Sequence, residues 1–214
     1  LWTHAVDVRD PEAVLGLADG VYERHGRVDV LHNNAGVVVV GRAETLDVAS
    51  WRRAIDINLM GVVHGIQAFL PTMVETGKGG HIVNTASVSG LVGFPLCGPY
   101  CASKYAVVGL TESLDGELAA HGIRVLALCP GMVDTAVVHN GQLDLPGQGR
   151  QMLLDAMARF ALRPEDVAAE VLDGVRRGRG GARVLGLGTR PMWWLRRAAP
   201  DGFGLANRWL SRFV

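Results

Sequence analysis

Lysine is nearly absent from this sequence. Of 21 basic residues in a 214-residue chain, only Lys78 and Lys104 are lysines; the rest are arginine. Net charge is absent too, because 21 acids balance the bases. Apart from Arg176-Arg177-Gly178-Arg179 the arginines are dispersed, so no nucleic-acid partner is expected. Cysteine is scarce. Cys97, Cys101 and Cys129 are too few, and odd in number, for a disulfide framework, and a reducing cytoplasm is the expected compartment. No histidine stands at ligand spacing beside Cys97 and Cys101, so the expectation for metal is none. No secretory leader or membrane-spanning run stands out. What remains, 49% apolar and 20% charged residues, suits a soluble globular domain with a sizeable core, and the length suits a single domain over 1–214. The sequence opens on Leu1 inside a strand-like pattern, which raises the expectation of a missing front end.

The pattern along the chain alternates between the two periods. Thr3–Val8 reads as a strand. Asp10-Pro11-Glu12 reads as a helix start, with a capping aspartate, proline at the first helical position and an acid in the first turn. That helix should run to His25 and stop at Gly26. Val28–Asn33 reads as the next strand, leaving through Asn34-Ala35-Gly36. Asp47 should cap a long helix from Val48 to Met73, with Trp51, Ile55, Val62 and Phe69 on its apolar stripe. Asn58 falls on the same stripe, and an amide on a buried face needs partners. His81–Thr85, Ile123–Cys129 and Ala182–Leu187 read as strands, and Tyr100–Ala120, Gln151–Phe160 and Arg163–Arg177 as helices. Such alternation argues for an α/β fold, a parallel sheet with helices on both faces. Ligands bind such sheets at the carboxyl ends of the strands, where Asn34–Gly36, Ser87 and Pro130–Thr135 would gather. The stretch 132–162 reads as an insertion over a site.

The second lysine has a partner that gives it a chemical meaning. Tyr100 and Lys104 are four apart on a helix, hence on one face. Bringing a phenol from about 10 to 7 requires about 4 kcal/mol. One ammonium roughly 4 Å away, at an effective dielectric near 20, supplies about that. Tyrosine could then serve as acid or base near neutrality. Arginine, practically never deprotonated, does not substitute in a proton relay, so a lysine in an arginine-biased chain is informative. A lone Tyr-x-x-x-Lys is otherwise a weak signal.

Asp7-Val8, Asn33-Asn34-Ala35-Gly36, Asn58, Ile82-Val83-Asn84-Thr85-Ala86-Ser87, Tyr100-x-x-x-Lys104 and Pro130-Gly131-Met132-Val133-Asp134-Thr135, in this order and spacing, resemble the short-chain dehydrogenase/reductase family. The resemblance covers nearly the whole chain. It implies a Rossmann-like doubly wound parallel sheet and NAD or NADP as cofactor. It also implies interconversion of a secondary alcohol with a ketone or aldehyde, and a homodimer or homotetramer. By the same resemblance Tyr100 is the acid/base, Lys104 lowers its pKa and holds the nicotinamide ribose, Ser87 hydrogen-bonds the substrate oxygen, and Asn58 anchors a water. Asp7, with Val8 beside it, would contact adenine, Asn34, Ala35 and Gly36 would line the cofactor, and Val133 and Thr135, beyond Pro130-Gly131, would bind the carboxamide.

The family's glycine-rich phosphate turn is not found. Gly178-Arg179-Gly180-Gly181 and Gly186-Leu187-Gly188 stand at the wrong end. The expectation is a member lacking its first two strands and the helix between them. Thr3–Val8 would then have no sheet neighbour, Val28–Asn33 would be an exposed edge, and the chain alone would bind dinucleotide poorly and turn over weakly or not at all. A non-catalytic dinucleotide sensor on the same fold is the alternative, disfavoured because a sensor needs no proton relay. A sugar-nucleotide epimerase or dehydratase, which also uses Tyr-x-x-x-Lys, is disfavoured by the small region after Pro130. Leu91–Gly98 and 132–162 should shape a pocket for an apolar substrate. The tail 191–214 holds Trp193, Trp194, Phe203, Trp209 and Phe213 among arginines. It suits packing over the pocket or across a subunit interface, the favoured expectation, or an amphipathic lie on a membrane.

Overall fold

The computed structural model describes residues 2–145, 147 and 149–210. Its elements in chain order are α1 (Pro11–His25), β1 (Val30–Asn33), β2 (Val39–Val40), α2 (Val48–Ile55), α3 (Gly61–Thr76), β3 (Gly80–Thr85), α4 (Gly98–Glu117), β4 (Ile123–Pro130), α5 (Ala136–His139), β5 (Gln142–Leu143), α6 (Gly149–Phe160), α7 (Pro164–Arg176), β6 (Gly181–Leu185), α8 (Thr189–Ala198) and α9 (Pro200–Leu210). The helix starts are chemical. Asp10 accepts from the N–H groups of Glu12 and Ala13 at 3.0 and 3.2 Å, and Asp47 from that of Ser50 at 2.8 Å. Gly26, at φ +73°, closes α1 in the left-handed region.

Four strands form one parallel sheet in the order β1-β3-β4-β6. On one face Ile82, Val125, Ala127, Cys129 and Val184 meet Val62, Ile66 and Met73 of α3 and Val107, Val108 and Leu114 of α4. On the other, Val83, Leu126, Leu128 and Leu185 meet Val171, Val167 and Val175 of α7. Alternate residues of β4 thus face opposite layers, as the period of a strand requires, which is why Ile123–Cys129 is apolar almost throughout.

Three expectations change. Thr3–Val8 is not a strand: Thr3–Asp7 has no regular secondary structure and Val8 enters a turn, since a strand exists only through a ladder partner and none flanks it among the described residues. Its Val8 instead packs on Gly61, where a Cβ would lie 2.8 Å from the valine side chain, and the Val8 carbonyl meets the His64 ring at 2.8 Å. The long helix is not uniform, because Asp56–Met60 forms a π-helical turn between α2 and α3. On length and composition this Val48–Thr76 run is apolar enough to cross a bilayer, which the sequence reading did not flag. Here Val62, Ile66, Phe69 and Met73 bury it as a core helix. Finally, β2 and β5 form a two-residue parallel pair that pins the 141–144 stretch beside Val39 and Val40. Residues this few carry no alternation for a sequence reading to detect.

Candidate active site

The carboxyl ends of β1, β3, β4 and β6 open into one cavity of about 1020 Å³. Asn34, Ala35, Gly36, Ser87, Tyr100, Lys104, Pro130, Gly131, Val133 and Thr135 all line it. Asn58 is fully buried immediately behind the wall, since a Cβ built on Gly36 would lie 3.3 Å from its Oδ1 and 3.5 Å from the Lys104 Nζ. Val8 lines a smaller adjoining cavity of about 210 Å³ that shares His32, Asn34 and Ala35 with the first. Asp7 lines neither. Its carboxylate is held by the Arg9 side chain and N–H, which keep its pKa down at about 2.

Local structure fixes each group. Ser87 follows β3 with extended backbone, its hydroxyl accepting from the Ser89 N–H at 3.1 Å. The loop beyond it is pressed onto α4 at Gly90, where a Cβ would sit 2.5 Å from the Lys104 carbonyl oxygen. No other residue type permits that approach, and it brings Ser87 to the helix that carries Tyr100. Ser87 and Tyr100 both line the cavity, and the Ser87 hydroxyl is near enough to the phenol to lower its pKa. Leu96, in the segment before α4, holds φ at +63°, its carbonyl accepting from the Gly41 N–H at 2.8 Å. For a branched residue that backbone costs about 1 kcal/mol, offset here by the anchoring of the loop.

Asn58 sits in the π-helical turn and makes three bonds. Its Nδ2 donates to the Val37 carbonyl and the Ser103 hydroxyl at 3.0 Å each, and its Oδ1 accepts from the Val37 N–H at 2.8 Å. It thereby fastens the strand-exit loop of β1 to α4. Both amide hydrogens are spent, and one lone pair of Oδ1 remains.

The electrostatics differ from the sequence expectation. Burial pushes the Tyr100 phenol up, the Ser87 hydroxyl pulls it partly back, and the Lys104 charge does not offset the burial. Lys104 is perturbed as well, in the opposite direction. It is 3% exposed, and burial pulls its ammonium down from 10.5 to about 8. The reason is where the side chain ends: Nζ donates to the Thr85 carbonyl at 2.7 Å and lies 5.9 Å from the centre of the Tyr100 ring. It is a desolvated cation bound to a neutral acceptor.

Sequence reasoning gave no role to Thr85, His32, Ser103, Asn84 or Thr111, all of which hold the site. Thr85 supplies the lysine's carbonyl, and its hydroxyl donates to the Asn34 Oδ1 and meets the His32 Nε2, both at 2.9 Å. Asn33 donates to Asn84, and Asn84 to Thr111, crossing from β1 through β3 to α4. The available signal was polar residues inside apolar strands, which must find partners when buried.

Comparisons with known proteins follow the same outline. A family model described as short chain dehydrogenase matches residues 1–145. A protein of Mycobacterium tuberculosis named "Probable oxidoreductase EphD" is 36% identical over 185 residues, which are 82% of this chain and 31% of that protein. This chain thus spans about a third of that relative's length. A short-chain dehydrogenase/reductase from Burkholderia phymatum, solved in complex with NAD, is 32% identical with a TM-score of 0.80, over 92% of this chain and 74% of that one. An alcohol dehydrogenase from the archaeon Thermococcus sibiricus, complexed with 5-hydroxy-NADP, is 28% identical with a TM-score of 0.71, over 87% and 74%.

Proposed function

Because this chain belongs to the short-chain dehydrogenase/reductase family, we propose that it serves an oxidoreductase that moves a hydride between NAD or NADP and a secondary alcohol or its carbonyl counterpart, with Tyr100 exchanging the proton. One observation carries the reading: Ser87, Tyr100 and the buried Lys104, delivered by separate stretches of chain, line one cavity, with the Lys104 ammonium 5.9 Å from the centre of the Tyr100 ring.

The residues present suit a nicotinamide ribose. Lys104 Nζ has three N–H bonds and gives one to Thr85, leaving donors at the cavity wall. Gly36 leaves open the space a side chain would fill beside Nζ and Asn58. Val133 and Thr135 line the cavity beyond the exit of β4 and in this reading would hold the carboxamide. The pyrophosphate end is different. Between Trp2 and β1 the described residues form an irregular segment, a turn and α1, with no glycine-rich cradle.

When bound, the cofactor supplies or takes the hydride. The chain's own residues handle the oxygen and the proton. Ser87 and Tyr100 are placed to hydrogen-bond one carbonyl oxygen and steady the charge that develops on it. With its pKa raised above the ordinary phenol value, Tyr100 is protonated at neutral pH. It is therefore poised as the acid that carbonyl reduction needs. Asn58 is a positioning residue that holds the β1 exit against α4, its remaining Oδ1 lone pair free to take a water. Phe94, Val138, Leu153, Met157, Phe160 and Met192 line the rest of the cavity, which suits an apolar substrate body.

Titration of the chain with NADH and NADPH, followed by turnover on a panel of ketones and secondary alcohols, tests the reading. Tyr100→Phe should lower turnover by roughly 10²–10⁴-fold, the usual contribution of a positioned acid, without altering cofactor affinity. Undiminished turnover in that variant removes Tyr100 from the role. Cofactor binding with no turnover on any substrate points instead to a dinucleotide sensor.

A further inference from the structure

The end of the chain separates charge from the rest of the molecule. Between Leu187 and Val214 the sequence holds Arg190, Arg196, Arg197, Arg208 and Arg212 against Asp201 alone, a net charge of +4 on a chain whose total is zero. Residues 1–186 therefore carry −4. Its described residues include α8 and α9, which pack on each other, and α8 also packs on β6 at the edge of the sheet. Asn207 donates to the Gly93 carbonyl at 3.2 Å, fixing α9 over the loop between β3 and α4.

The face these helices turn outward is apolar and cationic together. Trp194 is 62% exposed and Leu187 is 90% exposed, with Leu195 and Leu205 also open to solvent. Arg190 and Arg197 stand exposed on the same helix. Arg190 meets the Val184 carbonyl at 3.3 Å and Arg197 lies 5.3 Å from the Trp193 ring; no carboxylate among the described residues pairs with either. An exposed tryptophan and leucines beside uncompensated arginines are the pattern of a helix that lies in a bilayer interface: apolar side chains enter the acyl boundary while arginines meet anionic headgroups.

We infer that the α8–α9 face docks on an anionic lipid surface. A second copy of the chain is the competing occupant. A two-fold contact through this face would set its arginines against their own copies, a like-charge arrangement that opposes association. The charge of the face therefore selects an anionic partner. Its position agrees, since Leu187 and Met192 also line the large cavity, so docking brings the cavity mouth to the lipid. The binding claim stands apart from the catalytic reading, and each can fail without the other.

Flotation of the full 214-residue chain with phosphatidylcholine vesicles, with and without phosphatidylglycerol, decides it. Binding is expected only with phosphatidylglycerol and should be released by high salt, which screens exposed charge. Arg190→Glu/Arg197→Glu should remove it, since each basic residue near an anionic surface contributes about fivefold. Trp194→Ala, at an exposed position, should weaken binding several-fold with the melting temperature unchanged. Absence of flotation, flotation indifferent to the arginine reversal in a protein that still melts normally, or sedimentation showing a wild-type dimer that Trp194→Ala dissociates would overturn the inference.

Discussion

Lys104 should make this fold less stable near neutral pH than the same fold with an apolar side chain in its place. Its ammonium is 3% exposed and its acceptor is a neutral carbonyl. The fall from 10.5 to about 8, at 1.36 kcal/mol per pKa unit, amounts to about 3 kcal/mol of differential cost to the charged form. Because the folded pKa lies below the unfolded one, the unfolded state binds more protons between about pH 8 and 10.5, and stability must rise with pH through that window. Below about pH 8 the whole cost is present. Lys104→Met keeps the unbranched stem and removes the charge. It leaves the Thr85 carbonyl short of one donor, a loss of about 1 kcal/mol. The variant should therefore exceed the wild type by about 2 kcal/mol at pH 7 and lose that advantage near pH 10. Urea unfolding of both proteins at the two pH values measures it, and groups common to both cancel in the difference. A gap between variant and wild type that does not change from pH 7 to 10 refutes the reasoning, as does a variant several kcal/mol less stable at pH 7.

The same titration should govern activity: kcat/KM for carbonyl reduction, which reports the free protein, should fall about tenfold per pH unit above about 8 as the Lys104 ammonium is lost. A profile flat to pH 10 would dissociate the lysine from the reaction. Gly90→Ala should lower stability by about 3 kcal/mol, because its methyl group meets main-chain atoms of α4 that cannot rotate away; an unchanged melting temperature contradicts that contact. Asn58→Ala should cost about 3 kcal/mol, by unpairing the half-buried N–H and carbonyl of Val37 and removing the bond to the Ser103 hydroxyl, and urea titration would show it.

The sheet was legible wherever burial on both faces left a continuous apolar run, as in Ile82–Val83 and Ile123–Cys129. Helix starts were legible from Asp10 and Asp47, whose caps are local chemistry. Thr3–Val8 shows the limit. Its composition is that of a strand, but strand formation depends on a neighbour that the segment cannot encode. That Asn34–Gly36, Ser87 and Pro130–Thr135 gather at one cavity could be read because the carboxyl ends of parallel strands converge whatever the loops between them do. Its electrostatics could not. Whether Lys104 Nζ aims at the phenol or at the Thr85 carbonyl depends on a few ångströms of side-chain path, and the four-residue spacing is the same in both cases.

The π-helical turn at Asp56–Met60 has one more consequence. Such a turn is an α-helix carrying one surplus residue. Excising a single residue from it would let the run wind uniformly, with Ala54 and Val62 still able to reach their packing partners. The amide now clasped between Val37 and Ser103 would swing out of reach. Architecture and catalytic alignment are thus encoded separately along one rod, and a one-codon deletion could abolish the second while sparing the first.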